Sequence, residues 1–146
     1  MKKAVTPIPE GYHSVQPYLM VDDGEKLLAF AKQVFGAVEL HRTAGPDGAI
    51  QHAEFRIGDS VVMLSQARGE MKAQPASLYV YVPDVDAVYQ KALAAGAKSL
   101  IVPADQFYGD RSGGVVDAQG ITWWMGTHIE DVSGEEIQRR AEAARK

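Results

Sequence analysis

A chain of 146 residues with 15 Lys and Arg against 19 Asp and Glu, and no cysteine, is mildly acidic and of one-domain size; disulfides, thiolate metal sites and a cysteine nucleophile are excluded together. Its scattered basic residues leave no footprint for nucleic acid, and its apolar runs fall far short of the roughly 20 residues that cross a bilayer. Pro7, Pro9, Glu10 and Gly11 interrupt the place where a secretory signal needs an apolar stretch, so cytoplasm is the expected location.

In chain order, Val15 to Val21 reads as a strand running into Asp23, a residue suited to begin a helix. From about Gly24, Leu27, Leu28, Phe30, Ala31, Val34 and Phe35 form one buried helical stripe, which Gly36 closes with a left-handed cap. A strand from Val38 to Arg42 and a turn at Gly45-Pro-Asp-Gly48 follow. The strands Gln51 to Ile57 and Ser60 to Ser65 are joined by a hairpin signal at Gly58-Asp59. Gln66 to Ala76 has no periodicity and reads as a linker (about residues 67–76).

The pattern then returns. Ser77 to Val82 is a strand, Asp84 a helix start, and Val85, Val88, Ala92, Leu93 and Ala95 a buried stripe ending at Gly96. A strand from Lys98 to Val102, a turn region from Tyr108 to Gly114, and the strands Gly114 to Asp117 and Ile121 to Thr127 complete it. Val21 and Val82 lie 61 residues apart, Gly36 and Gly96 lie 60 apart, and a repeat of this length marks a duplicated unit. The expected fold is α+β, two tandem βαβββ modules (about 12–66 and 77–128) followed by a helix over about 133–145. Ser133 and Glu136 form a capping box for that helix. Glu135/Arg139, Glu136/Arg140 and Glu142/Lys146 are surface pairs on it, and Ile137 with Ala141 makes its thin contact face.

Strand alternation sorts the side chains. Leu19 and Val21 face the helix, which leaves Gln16, Tyr18 and Met20 on the opposite face; His52, Glu54 and Arg56 share it, with Val61 and Met63. In the second module Ser77, Tyr79 and Tyr81 join Thr122, Trp124 and Gly126, while Trp123 points the other way. An aromatic and apolar surface with few polar groups suits a small-molecule pocket; the competing reading is that these rings fill space between sheets or at a dimer interface. His52 and Glu54 are the candidate acid-base or metal pair, against a plain Glu54–Arg56 ion pair. Tyr108-Gly-Asp-Arg111 reads as a loop able to close over the site, Arg111 offering a bidentate donor to an anion; the alternative is a structural tie between Asp110 and Arg111. His13, His41 and His128 read as solvated.

The duplicated unit, with Val-Asp-Asp, helix, Phe-Gly-Ala in one copy and Val-Pro-Asp-Val-Asp, helix, Ala-Gly-Ala in the other, resembles the vicinal oxygen chelate (glyoxalase/bleomycin-resistance) superfamily. His52-Ala-Glu-Phe-Arg-Ile-Gly-Asp59 and Asp105-Gln-Phe-Tyr-Gly-Asp-Arg111 are similar to its PhnB-like branch. The resemblance implies a curved mixed sheet around a cleft, a homodimer, and a divalent metal held from the first and last strands of each module. The corresponding positions here are Gln16, Met63, Ser77 and Trp124, a set poor in hard donors. The expectation is therefore a protein without metal or other cofactor that binds a small molecule through Gln16, Tyr18, Met20, Arg56, Met63, Tyr79, Tyr81, Tyr108, Arg111 and Trp124, similar to drug-sequestering bleomycin-resistance proteins. Two alternatives remain: a metal-dependent glyoxalase, epimerase or dioxygenase with unusual ligands such as Gln16, His52 and Glu54, and a scaffold with a collapsed cleft. Whether the chain is an enzyme is left open.

Overall fold

The computed structural model describes residues 5–145 and divides into two compact units, one ending at Gln74 and the other beginning at Pro75. The first contains β1 (Tyr18–Val21), α1 (Gly24–Phe35), β2 (Val38–Ala44), β3 (Ile50–Ile57) and β4 (Ser60–Gln66), in a sheet ordered β1-β4-β3-β2. The second repeats this with β5 (Ala76–Tyr81), α2 (Val85–Ala94), β6 (Lys98–Asp105), β7 (Asp110–Val116) and β8 (Ile121–His128), ordered β5-β8-β7-β6, and adds α3 (Gly134–Ala144). In each sheet the strand preceding the helix pairs in parallel with the last strand, and the remaining pairs are antiparallel. The α+β fold of two tandem βαβββ units stands as read from the sequence.

Local chemistry sets the helix ends. The Asp23 carboxylate accepts from Lys26 N at 3.1 Å and Asp84 from Ala87 N at 3.2 Å, each satisfying a backbone donor that a helix leaves open. Gly36 caps α1 at φ 67°, whereas α2 is capped one residue earlier than expected, by Ala95, and Gly96 takes the left-handed turn after it at φ 97°.

Leu27, Leu28, Ala31 and Val34 bury against a sheet face carrying Leu19, Val21, Phe55 and Leu64. In the second unit Val85, Tyr89 and Ala92 cover Val115, Ile121, Trp123 and Met125. Removing each of the larger of these side chains from water contributes about 1.5–3 kcal/mol. Tyr89 was not in the expected stripe; it packs there because its hydroxyl finds Ser99 Oγ at the edge of the core. Trp123 is likewise buried with its indole N–H on Asp117 Oδ2 at 2.7 Å, and the same carboxylate accepts from Gln119 N and Ile121 N, tying the β7–β8 turn to the core.

The duplication is exact at the sheet level. Tyr18 pairs with Met63 and Tyr79 with Trp124, an offset of 61 on both strands. Some boundaries differ from the sequence expectation: β1 begins at Tyr18, not Val15, while β2 and β6 run on to Ala44 and Asp105. The larger correction is β7, which begins at Asp110 and takes in most of the expected Tyr108-to-Gly114 turn. Gly113 lies within this strand, and the position is glycine because a β-carbon there would lie 2.8 Å from Ile101 O and 2.9 Å from Pro103 N on the adjoining β6.

In α3 the Ser133 cap bonds Glu136 N at 3.2 Å, and Ile137 and Ala141 are half-buried. Arg139 pairs with Glu136, which it shares with Arg140, not with Glu135 as expected. The Glu142/Lys146 pair lies outside the described residues.

Candidate functional site

On the sheet face away from α1, β3 and β4 bring His52 opposite Ser65 and Glu54 opposite Met63. His52 Nε2 lies 2.8 Å from Glu54 Oε2, and its Nδ1 lies 3.3 Å from Tyr18 Oη and 3.4 Å from Ser65 Oγ. Tyr18 and Ser65 are bonded to each other, and Tyr12, from the segment before β1, donates to Glu54 Oε1. The expected Glu54–Arg56 ion pair is not formed, since Tyr12 and His52 occupy the two carboxylate oxygens and Arg56 is exposed. Burial works against the Glu54 charge, but the bonds from Tyr12 and His52 outweigh it and hold the carboxyl below its ordinary range. The same bond raises the Tyr12 hydroxyl. Gln16 precedes the strand and accepts from His13 N at 2.6 Å; Met20 is half-buried on the same face as Tyr18.

The matching face of the second unit is built differently. Where the first sheet has Glu54 and Ser65, the second has Gly114 and Gly126, paired across β7 and β8 with Trp124 and Ser112. A β-carbon on Gly114 would stand 2.6 Å from Trp124 Cε3, and one on Gly126 would stand 2.3 Å from Tyr79 Oη. The two missing side chains are the space into which Trp124 and Tyr79 fold against the sheet.

These rings wall a recess of about 340 Å³ together with Ile101, Gln106, Tyr108 and Ser112. Three of the residues expected to bind a ligand, Tyr79, Tyr108 and Trp124, are thus brought together. Tyr81 stands beside Tyr79 with ring centroids 5.1 Å apart. Another recess of similar size, near Pro46, Gln51 and Arg68 in the first unit, has no aromatic lining.

Behind the aromatic recess lies a polar network. Tyr79 and Tyr81 each donate to Asp110 Oδ2 at 2.8 Å, while His128 Nδ1 is 2.9 Å from Asp110 Oδ1 and its Nε2 2.7 Å from Asp131. Burial opposes the Asp110 charge, yet the bonds from His128, Tyr79 and Tyr81 prevail and keep its carboxyl below the usual range. Burial and the bond to Asp110 push the Tyr79 hydroxyl far up, and Asp110 followed by Asp131 raises His128.

Arg111 is not on a closing loop. It sits in β7 with its guanidinium on Asp86 and Asp105, on the side opposite Ser112, and Asp110 is committed to the tyrosines, so the expected Asp110/Arg111 tie is replaced. Sequence reasoning missed Tyr12, Ser65, Asp110 and Ser112, and read His128 as merely solvated. For His128 a signal existed: alternation along β8 puts it on the face of Trp124 and Gly126.

The family resemblance nominates Gln16, Met63, Ser77 and Trp124 as metal positions. Met63 and Trp124 have no oxygen or imidazole donor, and the Gln16 oxygen is engaged by His13 N. No group of three or more His, Asp or Glu side chains among the described residues is arranged to hold a metal ion.

Comparison with known proteins agrees with this architecture. Uncharacterized proteins of Mycobacterium bovis and Mycobacterium tuberculosis are each 38% identical over 86% of this chain, covering 90% and 80% of their own lengths. Among solved structures, TioX from Micromonospora sp. ML1 is 25% identical with a TM-score of 0.66 over 80% of this chain and 100% of its own. The PhnB protein from Bacillus cereus is 20% identical with a TM-score of 0.64, over 79% and 99%. A mutant of the fosfomycin resistance protein FosX from Listeria monocytogenes, complexed with Mn(II) and 1S,2S-dihydroxypropylphosphonic acid, is 16% identical with a TM-score of 0.62, over 86% and 94%. The family model for the Glyoxalase/Bleomycin resistance protein/Dioxygenase superfamily matches residues 12–125, and the chain belongs to that superfamily.

Proposed function

We propose that this protein binds a small, partly aromatic molecule without the help of a metal, in the manner of a sequestering protein. The observation that carries the reading is the recess of about 340 Å³ walled by Tyr79, Tyr108 and Trp124, its rings seated by two glycines. Flat rings with a few fixed polar atoms grip a planar ligand through stacking and burial, and nothing in that function requires a Lewis acid.

A diverse aromatic panel screened by thermal unfolding tests it. A ligand specific for the folded state raises stability by about 2.7 kcal/mol at a hundred times its Kd. The expected result is at least one binder whose effect is lost in Trp124→Ala. Silence across the panel, or an undiminished shift in Trp124→Ala, would overturn the proposal.

The 2.8 Å contact between His52 and Glu54 favours one rival, a metal-dependent enzyme using those residues. Elemental analysis of protein purified without chelator decides between them: the proposal expects no stoichiometric metal, and zinc, iron, nickel or manganese that is lost in His52→Ala would replace it. The proposal also includes a cytoplasmic homodimer, as the family resemblance implies, and sedimentation equilibrium showing only a 15.8 kDa species would remove the dimer.

A further inference from the structure

The aromatic recess is electrically one-sided. The side chains of Tyr79, Ile101, Gln106, Tyr108, Ser112 and Trp124 bear no formal charge, and Arg111 on the neighbouring strand position is turned away to Asp86 and Asp105. One hydrogen bond behind Tyr79 lies the Asp110 carboxylate, 3% exposed. His128 is shared between Asp110 and Asp131, so this group of three carries net negative charge whether the imidazole is protonated or neutral.

The hydroxyl protons run the same way. Tyr79 and Tyr81 both give theirs to Asp110 Oδ2. Tyr108 Oη and Ser112 Oγ are hydrogen-bonded to each other at 3.0 Å, so one of their two protons lies between them. The Tyr79 and Tyr81 hydroxyls have turned their protons toward the buried carboxylate and leave lone pairs on the other side. An anion entering the recess meets lone pairs and the negative faces of three rings, whereas a cation finds both favourable.

We propose that the recess selects organic cations: an amine or amidine carried on an aromatic or other apolar body, seated against Trp124 and Tyr79, with its N–H groups on the Tyr108 and Ser112 oxygens. This rests on the reading of the recess as the binding site, and the experiment separates the two.

Para-methylbenzylamine, para-methylbenzyl alcohol and para-methylbenzoate share a body and differ in charge, and are titrated into the full chain near pH 7 by calorimetry or NMR. The amine is expected to bind about tenfold tighter than the alcohol, the scale of a desolvated cation–π contact, with the benzoate weakest. Asp110→Asn should bring the amine-to-alcohol ratio toward one. Should Asp110→Asn fail to fold, Tyr108→Phe, which removes an oxygen lining the recess together with its bond to Ser112, should narrow the same ratio. Trp124→Ala should weaken all three. Equal affinities, a benzoate preference, or a ratio unchanged in the folded variants would overturn the charge selection and leave the recess as a binding site; no binding by any of the three would overturn both.

Discussion

Two absent side chains shape the recess more than any polar group in it. A methyl group on Gly126 has no room beside the Tyr79 hydroxyl, and one on Gly114 strikes the Trp124 ring, so the rings must leave or the strands must part. Gly126→Ala and Gly114→Ala should each destabilise the protein by ~1–3 kcal/mol, as overpacking does, and should weaken ligand binding; urea denaturation and titration measure both. An unchanged midpoint in both variants would mean the rings are not seated on the glycines. Asp117 is a second sensitive residue, because Asp117→Ala removes the carboxylate that accepts from the Trp123 indole N–H and from the Ile121 and Gln119 amides. Hydrogen bonds to a charged group contribute about 1.5–3 kcal/mol each, so a loss of ~2–4 kcal/mol in urea midpoint experiments is expected, and a loss under ~1 kcal/mol would contradict it.

The titrations have opposite signs on the two sides of neutrality. Asp110 and Glu54 are held below the ordinary carboxylate range. Their contribution is therefore present above the unfolded-state value, and it is lost as pH falls from the ordinary carboxylate range through the lower folded one. His128 is raised, so its contribution is complete below the ordinary imidazole range and fades as pH rises through its folded value. Asp110→Asn should flatten the acid limb of stability against pH, and also the neutral limb, because His128 loses its larger partner. An acid limb identical to that of the wild type would refute the assigned bonds.

At the scale of elements, the helices were the most legible part of the chain. Asp23 and Asp84 announce their own roles, since a short carboxylate before an apolar periodic run has few other uses, and each does cap its helix. Replacing either by Ala should lower stability by about 1 kcal/mol, measured by thermal or urea unfolding; no change would show that neighbouring groups take over the open donors. The strand β7 was the least legible. Gly109, Gly113 and Gly114 read as turn residues, and only Gly109, at φ 100°, is one. The other two are glycine because Pro103 and Trp124 come too close for a side chain, a reason that depends on partners ten residues away and is invisible in local composition. With β7 misread, Asp110 and Arg111 were placed on a lid, and the network joining Tyr79, Tyr81, Asp110 and His128 could not be seen. Tyr12 escaped for a similar reason: it meets Glu54 across 42 residues of chain.

At the scale of the whole molecule, duplication is the fact from which the site follows. The 61-residue offset found by pattern survives as identical pairing of Tyr18 with Met63 and of Tyr79 with Trp124, and so locates corresponding positions in the two sheets. Those positions have diverged: one sheet keeps His52, Glu54 and Ser65 as a hydrogen-bonded cluster, while the other has Ser112, Gly114 and Gly126 and opens a recess. The family fold does not itself choose between these two uses. The most direct test is an amide NMR map of a bound aromatic hit. The account predicts shifts centred on Tyr79, Tyr108, Ser112, Gly114 and Trp124; shifts centred on His52, Glu54 and Ser65, with the second sheet silent, would contradict it.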